Sequence, residues 1–283
     1  MGKKISRRQF IQRTASLGMS ALLTACQVDN VLPLPQKHLK SLPTSIQPQE
    51  TPAGINSEPR IASTLTPPNI SKMDLIDFLV KHSIRKGDDT RPVVLMTYDD
   101  DGSPSMIEDI LSAYRNYGNS KTTFFFIGDR LEICRKSVEK IITEGHVLGC
   151  HGWHHVPFNT LTDSDIHAQF EKFHRKILEI APGYQVKFFR LPYGAGFTED
   201  RILRIAAQWD LQHVFWTMGS DGLIPRTDKN VISETKNGSI VLSHMNRYFD
   251  YTQANFIVDG LMRRGFSLES VATGISPDDM RPA

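Results

Sequence analysis

From about residue 90 onward, short apolar runs alternate with stretches of helical period, and no other feature of the chain constrains its fold as much. The runs at 93–97, 122–127, 147–150, 186–189, 214–216, 240–242 and 266–271 have strand length and strand composition. Between them, Ile107, Ile110, Leu111 and Tyr114 fall on one helical face, with Gly118 suited to end that helix. Val138, Ile141 and Ile142 mark a second helix, and Thr162-Asp163-Ser164-Asp165 caps a long one running to about Ile180. Further helices are expected near 198–209 and 252–264, and an amphipathic stretch over 73–82 is expected to pack as a first helix. Strands alternating with helices at this spacing specify βαβ units and a parallel sheet.

The N-terminal part has a different texture. Lys3, Lys4 and the pair Arg7-Arg8 precede a weakly apolar run over 15–25, well short of the roughly 20 residues needed to span a bilayer. This predicts a twin-arginine export signal over 1–25. Leu23-Thr24-Ala25-Cys26 resembles a lipobox, with Cys26 as the acylated residue. Residues 26–70 are rich in proline and polar residues with no apolar period, as in an extended tether. The expected organisation is therefore a signal (1–25), a tether (26–70) and a folded domain (71–283), exported and lipid-anchored at the cell envelope. With 33 basic against 31 acidic residues and no basic block past the leader, nothing points to nucleic acid. Cys134 and Cys150 are expected as buried thiols.

In parallel α/β folds chemistry gathers where strands run out, so the polar residues after each apolar run matter most. The first run delivers Asp99-Asp100-Asp101-Gly102, three carboxylates that repel one another unless a cation or base sits among them. The run ending at Cys150 delivers His151 and His155, close enough to share a metal if the turn is helical, with His154 as a bystander. Two imidazoles and one carboxylate form the ligand set of a catalytic zinc-type site. Later runs deliver Arg190 to Gly194, then Ser220-Asp221, then Ser243-His244.

In order, these five segments resemble the five motifs of the polysaccharide deacetylases, carbohydrate esterase family four, over about residues 90–275. The resemblance implies a distorted (β/α) barrel of about seven parallel strands in a single domain. It implies a metal-dependent hydrolase removing N-acetyl groups from GlcNAc- or MurNAc-type sugars of an envelope or exported polysaccharide. By the same resemblance Asp99 is the catalytic base, and Asp100, His151 and His155 hold one divalent ion, Zn2+ first, with Co2+, Ni2+ or Mn2+ as alternatives. Arg190 holds the base, and the Tyr193 backbone N–H donates to the oxyanion. Asp221 tunes the catalytic His244, and Leu242 cradles the acetyl methyl. The expected partner is an N-acetylated polysaccharide or oligosaccharide, bound by a monomer.

Three departures from the family pattern leave choices open. Counting from Tyr98 makes Asp99 and Asp100 the base and ligand; counting back from Gly102 makes them Asp100 and Asp101. The first is preferred because the strand sets which side chains reach the centre. Gly152 stands where the family has Ser or Thr, and Gly222 follows Asp221 where the family has Trp. An O-acetyl esterase acting on a xylan-like polymer and a catalytically idle glycan-binding lipoprotein are the alternative functions.

Overall fold

The computed structural model describes residues 71–276 apart from 82, 119 and 221–225. The leader, Cys26, the tether and Asp221 lie outside these described residues. All described residues belong to the unit Ile61–Ala283.

Strands β1 (Val93–Asp100), β2 (Thr123–Phe126), β3 (Val147–Cys150), β4 (Phe188–Phe189), β5 (Gln212–His213), β6 (Met218–Gly219) and β7 (Ser239–His244) line up as β5-β4-β3-β2-β1-β7-β6. A short β8 (Ser267–Leu268) pairs with the start of β1. Every pairing is parallel. The order is that of a (β/α) barrel open between β5 and β6, where Ile84 bridges to Val214. One strand expected over 214–216 is thus two short strands either side of it, β5 and β6.

Helices α1 (Lys72–Lys81), α2 (Pro104–Arg115), α3 (Arg135–Thr143), α4 (Asp163–Ile180), α5 (Asp200–Gln208), α6 (Asp228–Glu234) and α7 (Tyr248–Arg263) complete the described fold. Their starts follow local chemistry. The Ser103 hydroxyl accepts from the Met106 N–H, with Pro104 in the first turn of α2. Thr162 and Asp165 form a capping box on α4. Helix α6, capped by Thr227, is too short for its period to stand out in the sequence.

Strand alternation sorts the apolar residues into two layers. Val94, Met96 and Tyr98 of β1, with Phe124 and Phe126 of β2, face the helices. Val93, Leu95, Phe125, Ile240 and Val214 form a smaller cluster inside the barrel. The same period, carried to the strand ends, puts Asp99 after Leu95 and Thr97 on the inner side. It does likewise for His151 after Val147 and Gly149, and for Leu242 and His244 after Ile240. Fold and site therefore come from one rule: inner positions are apolar along the strand and polar where it ends.

Candidate active site

The inward end of β1 is built around Arg190, whose side chain is fully buried. Its guanidinium donates to Thr97 Oγ1 (2.7 Å), Asp99 Oδ1 (2.8 Å) and the carbonyls of Val214 (3.1 Å) and Phe215 (3.0 Å), and lies 4.3 Å from the Phe125 ring centre. Burial pulls the Arg190 guanidinium down from its usual value, and Asp99 pushes it back up. One Asp99 oxygen is thus fixed by a charge-assisted bond. The other lies 3.9 Å from His151 Nε2.

Asp100 follows Asp99 directly, so regular alternation would turn it toward the helices. It instead adopts φ 77°, a left-handed value costly for a non-glycine residue. The turn brings Asp100 Oδ1 to 3.6 Å from His151 Nε2 and 3.3 Å from His155 Nε2. Strand period alone therefore does not decide which aspartates reach the centre; the backbone twist at Asp100 does. Asp101 lies away from the histidines, 3.9 Å from Arg130 Nε, and burial pushes its carboxyl up.

His151 and His155 sit on an irregular loop, so they come together without the helical turn on which the expectation from their spacing depends. Gly152 bends this loop at φ 80°, and a Cβ there would stand 2.9 Å from the His154 carbonyl oxygen. The chain's departure from Ser or Thr at this position is therefore a requirement of its own loop. Gln169 of α4 secures the loop by accepting from the Trp153 and His154 N–H groups (2.7 and 2.8 Å). His154 points elsewhere, to Asp129 Oδ2 at 2.9 Å.

Each ligand-type histidine is oriented through its other nitrogen. His151 Nδ1 lies 2.9 Å from the Arg190 carbonyl oxygen, which can only accept, so the proton is on Nδ1 and the Nε2 lone pair faces Asp100. Burial pulls His151 below its usual value, which favours the neutral ring. His155 Nδ1 lies 3.0 Å from the Tyr193 hydroxyl, and Tyr193 itself holds φ 58°. Asp100, His151 and His155 each present one ligand atom, all within 4.8 Å of one another. Asp100 Oδ1 is buried and has no hydrogen-bond partner among the described residues. A lone acceptor facing the His151 lone pair, with His155 Nε2 at 3.3 Å beside it, fits a divalent cation.

On the opposite side, His244 follows Leu242 on β7 and is registered with Asp99 of β1. Spacing did not reveal the carboxylate beside it. Asp250, on the first turn of α7, accepts from the His244 N–H (2.8 Å), and its Oδ2 lies 3.8 Å from His244 Nδ1. Gln169, Asp250 and the Tyr193 side chain are site residues that no strand-end rule points to. Both cysteines among the described residues are free and buried: Cys134 donates to the Gly102 carbonyl, and Cys150 Sγ accepts from the Gly152 N–H.

Residues 86–214 match the family model of the polysaccharide deacetylases. Chitin deacetylase 1 of Cryptococcus neoformans is 35% identical over 127 residues, covering 45% of this chain and 26% of that protein. The peptidoglycan-N-acetylglucosamine deacetylase of Bacillus cereus is 30% identical over 158 residues, 53% of this chain and 55% of that one. The chain thus spans between 26% and 55% of the length of these two relatives. A solved Bacillus anthracis pseudoenzyme of carbohydrate esterase family 4 superposes with a TM-score of 0.62 at 20% identity, over 68% of each chain. At that identity the likeness concerns the fold alone.

Proposed function

We propose, for a chain whose residues 86–214 match the polysaccharide deacetylase family, that it is a metal-dependent hydrolase releasing acetate from N-acetylated sugars of a polysaccharide. The observation that carries this reading is the buried Arg190–Asp99 pair set beside the Asp100, His151 and His155 ligand atoms. Asp100, His151 and His155 would hold a divalent ion, zinc in the first instance, which when bound would supply Lewis-acid polarisation of the acetyl carbonyl and a more acidic water.

The chain's own residues do the rest. Asp99, braced by Arg190, takes a proton from the attacking water. The Tyr193 backbone N–H donates to the developing oxyanion, a contribution of roughly 3 kcal/mol for one such donor. Leu242 packs against the acetyl methyl, and His244 hands a proton to the departing amine. The products are acetate and a free amino sugar. The relatives named for peptidoglycan and chitin point to GlcNAc- or MurNAc-type sugars as the substrate class.

Arg7-Arg8 and the lipobox-like Leu23-Thr24-Ala25-Cys26 support export by the twin-arginine route and anchoring through acylated Cys26. The reading of activity is tested by measuring acetate release from a panel of N-acetylated glycans before and after chelation. Loss on chelation and recovery with a divalent ion are expected; full activity without metal would remove the proposal. Palmitate labelling that persists in a Cys26→Ala variant would remove the anchor.

A further inference from the structure

The His244 side of the site contains a carboxylate that the sequence motifs do not supply. Asp250 lies six residues beyond His244, and its side chain is fully buried. Taking a carboxylate out of water is costly unless its oxygens are fully engaged, and these are. Oδ1 accepts from the Ser220 hydroxyl (2.8 Å) and from Arg226 (2.7 Å). Oδ2 accepts from the His244 N–H and faces the imidazole Nδ1. Burial alone would push this carboxyl up. The imidazole of His244, Arg226, the His244 N–H and Ser220 together bring it below its usual value, and the first turn of a helix favours the same ionised form.

We infer that Asp250 is a carboxylate that positions His244 as the general acid, a role the motif resemblance gave to Asp221 alone, with Ser220 and Arg226 holding Asp250 in place. The inference rests on the function proposed above. Asp250 touches His244 and not the substrate, so it is a positioning residue. When the C–N bond breaks, the imidazole proton goes to the amine nitrogen, the acetyl carbon keeps the oxygen from water, and no proton passes to Asp250. The Asp250 negative charge favours the imidazolium that must exist before this transfer, and its fixed Oδ2 sets the ring direction.

A bland alternative is that Asp250 merely ties the end of β7 to the start of α7 through the His244 N–H. Leaving-group dependence separates the two. An amide needs a proton on its departing nitrogen, whereas 4-nitrophenyl acetate leaves as a stabilised phenolate. In the metal-loaded full chain, Asp250→Asn is expected to lower kcat for an N-acetylglucosamine tetramer about 100-fold. KM should stay within about two-fold, and aryl ester turnover within about three-fold of the parent. In a His244→Ala background the same substitution should produce no further loss, because the two act as a unit. Equal loss on both substrates, an additional loss in the His244→Ala background, or parent-like amide turnover would each overturn the inference. If Asp250→Asn does not fold, Ser220→Ala takes its place. It should lower the amide-to-ester ratio about three-fold, and an unchanged ratio overturns the inference. A parent releasing acetate from no N-acetylated glycan overturns the proposed function, and this inference with it; a working parent isolates the question to Asp250.

Discussion

Both ends of the barrel carry charged and polar side chains, but they use them in opposite ways. At the floor, where strands enter, the charged groups are tied to one another. Asp88 accepts from the Thr90 N–H and hydroxyl and from Arg91 Nε, and Arg91 also pairs with Glu269 beyond β8. Gly87 and Asp88 close the floor through bonds to the Gly238 and Gly274 carbonyls. Buried His146 accepts the Thr122 N–H through Nδ1. At the mouth, Asp100 Oδ1 has no hydrogen-bond partner among the described residues, and Asp100 and Tyr193 hold left-handed backbone angles; Asp210, before β5 at the floor, holds one too, but there Lys187 pairs with its carboxylate. Such angles cost about 1–3 kcal/mol each and persist only where surrounding structure imposes them. Charge density alone therefore does not mark a site. Unsatisfied and strained charge does, because only there does a ligand have something to gain.

The largest expected effect tests a mouth residue that, like the floor, has its charge fully tied down. Arg190→Ala leaves the Asp99 carboxylate buried without its cation and should cost about 3–5 kcal/mol in urea unfolding, along with activity. A loss below about 1 kcal/mol would show that Arg190 is not the keystone of that wall. Next, Asp100→Asn should weaken divalent-metal binding at least about 100-fold in chelator competition. The metal-free protein should stay within about 0.5 kcal/mol of the parent. Parallel losses of affinity and stability would place Asp100 with the floor.

The third test is acid. Burial holds His146 down to about 4. Between its usual value and about 4, the unfolded chain binds a proton there that the folded chain refuses. Stability should therefore fall on acidification through that window, with a slope of up to about 1.4 kcal/mol per pH unit. His146→Gln should flatten the slope of the denaturation midpoint against pH; an identical slope would mean the ring does not stay neutral in the fold. The smallest effect belongs to Arg91→Gln on the floor. Its side chain is 44% exposed, so a loss of no more than about 1 kcal/mol is expected, with acetate release within about two-fold of the parent.

Much of the architecture was legible because it is written locally. Apolar runs of strand length gave the parallel sheet, an apolar face gave α2, and capping residues gave the start of α4. The helix expected over 198–209 and the strand expected over 266–271 run shorter, at Asp200–Gln208 and Ser267–Leu268. Helix α6 was missed, because it is capped by Thr227 but offers only Val231 as a buried side chain. The break between β5 and β6 was missed for a different reason. Phe215 and Trp216 are apolar enough to continue a strand, yet the Phe215 N–H donates to the Ile84 carbonyl of a distant segment.

The sequence by itself determined which residues stand at the strand ends, because a side-chain period of two, once phased by Val93, Leu95, Val147 and Ile240, carries forward to Asp99, His151 and His244. It could not determine the course of the backbone past a break in that period. The left-handed turn at Asp100 puts two consecutive aspartates into one cavity, the Gly152 loop brings two histidines together without a helix, and Asp250 returns from α7 to the end of β7. Those are outcomes of tertiary packing, since local sequence sets the direction of a side chain only while the backbone stays regular, and the parts of this site that depart from regularity are held by bonds from elsewhere in the chain.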